Sequence, residues 1–327
     1  VNNPSLHGAA HNRDAVAEWR RSPERGSLLA LRIMAFLSLR LGRGLGRLFL
    51  YLVAGYFFLF APKARRCMRD YLRRALGREP RARDRFRQIM TFATCIHDRI
   101  YLLAERYHLF EVSLQGEPLM QQIVAAGGGA IVMGAHMGSF EVLRWIGERR
   151  AGLELAMTMY EDNARNVNAM LTALAPRNPP EIIAVGRVDS MLKIRGRLDQ
   201  GALVGMLADR SFGDEGVLPA TFLGATAYLP TGPMRAAAML RRRVMFVLGL
   251  YRGGNRYHLV FEPLADFSAT PPGQRPAAIE AAVTRYAALL DQYCRSDPYN
   301  WFNFFDFWRS AAAASTRPAP PPQPQRE

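Results

Sequence analysis

The sequence predicts an α/β fold: a mixed sheet flanked by helices, preceded by a helical region suited to a membrane surface. Three observations carry this. From Gly116 onward, short apolar runs alternate with stretches of helical texture, the pattern of a sheet with helices packed on it. Before Gly116, apolar runs are interleaved with clusters of arginine, as in helices that lie on an anionic bilayer. Of the 327 residues, 49% are hydrophobic, enough for one sizeable core.

Residues 1–14 are polar, read as disordered, and carry no apolar segment of the secretory-signal kind. A helical, membrane-associating region follows over 15–115. Ser27–Leu41 is an amphipathic helix interrupted by Arg32 and Arg40. Leu48–Ala61 is an uncharged run of fourteen residues, short of the ~20 that a straight bilayer span needs. It fits a buried helix, a monotopic insertion or a short tilted span. Insertion is favoured, because Arg40, Arg43 and Arg47 precede the run and Lys63, Arg65, Arg66, Arg69, Arg73 and Arg74 follow it. Met68–Tyr107 reads as helical with arginine-rich polar faces.

The α/β domain is placed at 116–309. Its strands are expected at Ala130–Ala135, Leu153–Met159, Ile182–Val185, Leu203–Ala208, Val244–Leu250 and Tyr257–Phe261. Helices are expected near Ser139–Arg150, Asn163–Ala175, Ser190–Gln200, Pro233–Arg243 and Pro276–Arg295. The aromatic run Tyr299–Trp308 suits core packing, an interfacial belt or the wall of an acyl pocket, with core packing favoured. The Ala/Pro/Gln-rich stretch 310–327 reads as a disordered tail.

Lys and Arg total 43 against 28 Asp and Glu, a net charge of +15. That favours an anionic partner. No zinc-finger, RNP or helix-turn-helix pattern is present, so nucleic acid is set aside in favour of an anionic membrane surface or an acidic carrier protein. Cys67, Cys95 and Cys294 form neither a CxxC pair nor a disulfide framework, consistent with a reducing compartment. The six histidines do not cluster, so no metal is expected.

The densest chemical signal is Gly134-Ala135-His136-Met137-Gly138-Ser139-Phe140-Glu141, directly after the apolar run Ala130-Ile131-Val132-Met133. His136 falls in a strand-to-helix turn. Glu141 falls in the first turn of a helix for which Ser139 is the expected cap. A neutral imidazole there can act as a general base, with a nearby carboxylate fixing its tautomer. A hydrogen-bonded structural histidine is the alternative reading. The second constellation is Ala208-Asp209-Arg210-Ser211-Phe212-Gly213 after Leu203–Ala208, at the strand edge where open α/β sheets place ligands. Phe222-Leu223-Gly224 and Pro230-Thr231-Gly232-Pro233 come next. Thr231 and Gly232 are N-cap candidates at a helix start able to host an oxyanion; ordinary turn chemistry is the alternative.

Taken in this order, the two constellations resemble the bacterial lipid A late acyltransferases of the lysophospholipid acyltransferase superfamily. The GAH-x-GN-x-E string stands as Gly134–Glu141, the DQ-x-x-G block as Asp209-Arg210-Ser211-Phe212-Gly213, and the FFG-x-x-A-x-T-x-x-G block as Thr221–Gly232. The likeness spans roughly residues 20 to 309. Arg210 and Ser211 depart from the family's DQD string, and the chain looks closer to a branch found with aryl polyene and xanthomonadin-type pigment biosynthesis.

The resemblance implies transfer of a fatty acyl chain from an acyl carrier protein or acyl-CoA thioester to a hydroxyl of a membrane lipid, at the cytoplasmic face of the inner membrane and without a cofactor. His136 would be the base and Glu141 the residue that holds its imidazole. Arg210 and the backbone at Thr231-Gly232 would stabilise the oxyanion. Asp209 would line the substrate site, and Arg165 would contact the acceptor. Aryl polyene pigment lipids and ornithine-type lipids are further acceptors to weigh, and a non-catalytic membrane-binding role is the alternative class. A nucleophilic hydrolase is disfavoured because no G-x-S-x-G elbow occurs.

Overall fold

The computed structural model describes residues 28–146, 154–160, 181–186, 189–210 and 216–308. Three helices come first: α1 (Leu28–Phe60), α2 (Pro62–Leu76) and α3 (Ala82–Leu103). The two apolar segments expected as separate helices follow one another in α1 and are separated by a kink at Gly42, directly after Leu41, where the backbone leaves helical geometry (φ 82°, ψ 162°). Pro62 opens α2, where a missing N–H costs nothing. Gly77 closes α2 in the left-handed region and so divides the helix expected over 68–107.

α1 lies lengthwise on α3. Tyr101 donates to the Ser38 carbonyl at 2.7 Å. Arg43 binds Asp98 through two hydrogen bonds of 2.7 and 2.8 Å, and Asp98 also accepts from the Tyr257 hydroxyl at 2.9 Å. Ala54 is buried in the same seam. The opposite face of α1 leaves Leu45, Leu48, Phe49, Leu52, Tyr56 and Leu59 exposed. Counted through the Gly42 bend, Ser38–Phe60, 23 residues, is long and apolar enough by length and composition to cross a membrane.

The elements that follow are β1 (Glu111–Gln115), α4 (Glu117–Ala125), β2 (Ala130–Gly134), α5 (Glu141–Ile146), β3 (Leu155–Tyr160), β4 (Glu181–Val185), α6 (Ser190–Asp199) and β5 (Leu203–Leu207). Then come β6 (Val217–Phe222), β7 (Ala225–Pro230), α7 (Gly232–Leu240), β8 (Arg243–Tyr251), β9 (Arg256–Asp266) and α8 (Arg275–Ser296). The seven-stranded sheet has the order β1-β9-β8-β2-β5-β3-β4. All its pairings are parallel except β8 with β9, so the sheet is mixed, as expected. Each expected strand is present within a few residues, and the helix expected at Asn163–Ala175 lies outside the described residues.

Two features were not expected. β1 pairs with β9 at the sheet edge, and β6 and β7 form a separate hairpin where the sequence offered only turn chemistry. That hairpin turns at Leu223 and Gly224, both with positive φ (49° and 75°). Such turns normally carry Asn or Asp before Gly, and leucine gives no such signal.

β2 is buried along its whole length, as a central parallel strand should be. Its alternate residues serve two layers. Ile131 and Met133 join Tyr71, Phe246, Tyr286 and Leu290 on the α8 side. Ala130 and Val132 join Met120, Ile123 and Leu143 on the α4 side.

Candidate active site

The C-terminal edges of two neighbouring parallel strands build the site. β2 ends at Gly134 and β5 at Leu207, with these residues in register. Each chain then runs two residues further, which sets His136 beside Asp209. Asp209 Oδ2 accepts the His136 backbone N–H at 3.0 Å, and Asp209 Oδ1 lies 2.8 Å from His136 Nδ1. One carboxylate thus fixes both the backbone and the ring of the same histidine.

Asp209 is 1% exposed. Burial alone would raise its pKa. The charge of His136, the hydrogen bonds from His136 and from Trp301, and the Arg210 guanidinium outweigh burial and hold the carboxyl well below the usual carboxylate range. An ionised Asp209 can only accept, so the imidazole proton belongs on Nδ1. Burial lowers the pKa of His136, Arg210 lowers it too, and the Asp209 charge opposes both; the net direction is down. The ring is therefore neutral near pH 7. Nε2 has no hydrogen-bond partner among the described residues, and the side chain keeps 30% of its surface exposed. This is the form and orientation that a general base needs.

The loop after His136 is held by backbone contacts. Gly138 N–H donates to the Asn300 carbonyl at 3.0 Å, Phe302 N–H to the His136 carbonyl at 2.8 Å, and Ser139 N–H to the Gly249 carbonyl at 2.7 Å. Gly138 sits at φ 72°, and a Cβ there would collide with the Gly249 carbonyl oxygen. Glycine is required on both counts.

The residue placed at Nδ1 is Asp209, not the expected Glu141. Glu141 opens α5, but its carboxylate turns toward α3: Oε1 lies 2.6 Å from Arg99 Nε, and Oε2 accepts from the Ser139 hydroxyl at 3.0 Å. The Arg99 contact is an ion pair without hydrogen-bond alignment at Nε. The Ser139 hydroxyl donates to Glu141 and accepts from no backbone N–H among the described residues, so the expected cap is not formed.

Arg210 lies beside the dyad. Its Nη2 donates to the Phe302 carbonyl at 2.9 Å, its guanidinium stands over the Phe305 ring at 5.2 Å, and its Nε is buried without an acceptor among the described residues. Thr231 occupies the N-cap position of α7, with Gly232 next, but its hydroxyl and N–H both donate to the Gly216 carbonyl at 2.8 Å. Among the described residues neither bonds to His136; Thr231 pins the β7–α7 turn to Gly216, the residue before β6. Arg165 lies outside the described residues.

Trp301 completes the site. Its indole Nε1 donates to Asp209 Oδ2 at 3.0 Å, its carbonyl accepts from Gln88 Nε2 at 2.7 Å, and its ring contacts Tyr71, Phe222 and Phe307 edge-on. The aromatic run is core, as favoured, and also part of the site. Nothing in the run's spacing marked Trp301 as a donor.

A family model described as bacterial lipid A biosynthesis acyltransferase matches residues 31–310. No curated protein matches the chain.

Proposed function

The chain belongs to the bacterial lipid A biosynthesis acyltransferase family, and from that premise we propose a general-base transfer of an acyl group to a lipid hydroxyl, run by His136 and Asp209. The observation that carries this reading is the 2.8 Å contact between His136 Nδ1 and a buried Asp209, which leaves Nε2 to accept a proton. Nε2 takes the proton of the acceptor hydroxyl as its oxygen attacks the carbonyl carbon of a thioester. The C–S bond then breaks, and the imidazolium returns the proton to the thiolate. The products are an ester and a free thiol, with no covalent acyl-enzyme. Asp209 stabilises the transient imidazolium and keeps the correct tautomer. A base in this role contributes about 10²–10⁴-fold, and positioning of the two substrates adds to it.

In this scheme Glu141 acts on the loop rather than on the ring, by tying Ser139 to Arg99. Arg210, at the edge of the dyad, is the proposed oxyanion donor, and Arg165 remains the proposed acceptor contact. The donor is proposed to be an acyl carrier protein or acyl-CoA thioester, whose acidic groups the basic surface would attract. Arg210 and Ser211, where the family string has other residues, favour an acceptor other than lipid A, such as an aryl polyene pigment lipid or an ornithine-type lipid. The lengthwise packing of α1 on α3 favours insertion into one leaflet, at the cytoplasmic face of the inner membrane, over an isolated span.

The test is transfer of label from radiolabelled acyl carrier protein, or acyl-CoA, into total membrane lipid. Wild type, His136→Ala, Asp209→Asn and Glu141→Ala are compared. Loss of product with the first two substitutions supports the dyad, and the labelled lipid names the acceptor. Undiminished transfer by His136→Ala would remove the base assignment. A folded wild type inert with both donors would favour a membrane-binding role.

A further inference from the structure

We propose that a cavity between α1, α3 and the β8–β9 turn is a seat for a phosphate-bearing headgroup, separate from the His136 site. The cavity measures about 550 Å³ and is lined by Arg47 and Tyr51 of α1, Arg87 of α3, Arg252 of the β8–β9 turn, and Asp297 and Tyr299 after α8. Three guanidiniums therefore face one carboxylate. Only Arg252 is paired with it, at 2.6 Å from Asp297. Arg47 spends its bonds on uncharged acceptors, the Gly254 carbonyl and the Tyr251 hydroxyl. Arg87 stands over the Tyr299 ring at 4.4 Å and has no carboxylate partner among the described residues.

Guanidiniums that line one cavity and outnumber its carboxylate suit a tetrahedral anion, because their planar N–H forks match phosphate oxygens in pairs. The cavity's position says which kind. Arg47 and Tyr51 are one turn apart on α1, and the neighbouring Leu48, Phe49 and Leu52 are exposed. A ligand with a phosphate in the cavity could lay an apolar chain along that strip. The seat also touches the catalytic loop: Asn300 lines the cavity, and its carbonyl accepts from Gly138 N–H. The seat uses neither His136 nor Asp209 and would bind its ligand whether or not they transfer an acyl group.

The experiment is calorimetric titration of the full-length protein in dodecyl maltoside, a detergent without phosphate. The probes are dihexanoyl phosphatidic acid, glycerol 3-phosphate and dihexanoylglycerol. Wild type should bind dihexanoyl phosphatidic acid, and Arg87→Gln should bind it about tenfold more weakly, the scale of one charge-assisted hydrogen bond. Arg87→Lys should fall between them. Among the described residues Arg87 has no carboxylate partner and only the Tyr299 ring beneath it, so its loss should lower the thermal unfolding temperature by no more than about a few degrees. Weaker binding of glycerol 3-phosphate than of the lipid assigns the seat to a lipid headgroup. Equal binding, again weakened by Arg87→Gln, assigns it to a soluble phosphate compound. The proposal is overturned if wild type binds neither phosphate probe, or if dihexanoylglycerol binds as well as phosphatidic acid. It is also overturned if Arg195→Gln, on the distant α6, weakens binding as much as Arg87→Gln does.

Discussion

The indole of Trp301 donates a hydrogen bond to the same Asp209 oxygen that accepts the backbone N–H of His136. A residue with no contact to His136 Nε2 therefore helps set the basicity of the carboxylate that sets the basicity of the His136 ring. Trp301→Phe keeps an aromatic ring in the core and removes only the donor and some volume. Asp209 becomes more basic, the imidazolium is better stabilised, and the pKa of His136 rises. The acid limb of the kcat/KM profile should move to higher pH, with stability lower by about 1–3 kcal/mol. A profile unmoved in Trp301→Phe would limit the indole to packing.

Glu141 and Asp209 should separate in the same assay. Asp209→Asn should lower kcat by about 10²–10⁴-fold, because the ring loses its tautomer lock. Glu141→Gln should cost no more than about tenfold, the scale of a lost charge-assisted bond, and should leave the acid limb in place. A shifted limb in Glu141→Gln would make Glu141 the electrostatic partner of the imidazole.

Stability should rise with pH across the acid range. Burial and nearby arginines hold the pKa values of His97, His136 and His258 below 6.5 in the folded protein. Below that value the unfolded chain binds protons that the folded one does not, so stability is lost as pH falls through the unfolded pKa. Asp209, whose folded pKa is depressed despite burial, contributes stability above 3.8 that is lost as pH falls further. Urea unfolding at pH 7.5, 6 and 5 should show a steady decline in stability, shallower in His136→Gln. Constant stability over that range would contradict the histidine assignments.

Gly138→Ala puts a methyl group against the Gly249 carbonyl and a side chain on a backbone at φ 72°. Both effects destabilise, by more than about 1 kcal/mol together. The loop must shift, and kcat should fall while Gly127→Ala, where a Cβ meets open space, leaves it unchanged. Equal turnover in both variants would show that the Gly138–Gly249 approach does not position His136.

The strands and the His136 loop were legible because their signals are local. An apolar run, a glycine and a histidine sit within a dozen residues. The partner of His136 was not, because Asp209 is 73 residues away and reaches it only when β2 and β5 pair. Sequence proximity pointed to Glu141, yet the turn at Gly138 directs that carboxylate to Arg99. The β6–β7 hairpin was hidden by Leu223 in a conformation that leucine rarely adopts, and β1 by its short, half-exposed pattern at the sheet edge. The run of α1 on through Arg43 and Arg47 was hidden by arginines that look like interruptions in one dimension. In three, Arg43 points inward to Asp98.

That last pairing decides whether the first helix is an accessory. Asp98 is fully buried, and Arg43 is the cation that reaches it with two hydrogen bonds. A chain trimmed through Phe60 would lose Arg43 and leave Asp98 without its cation, and Arg43→Leu, which keeps the helix over that carboxylate, should cost about 3–5 kcal/mol. Trimming the apolar segment to obtain a water-soluble enzyme should therefore yield an unfolded one. The greasy helix is a structural member of the catalyst and not a detachable handle.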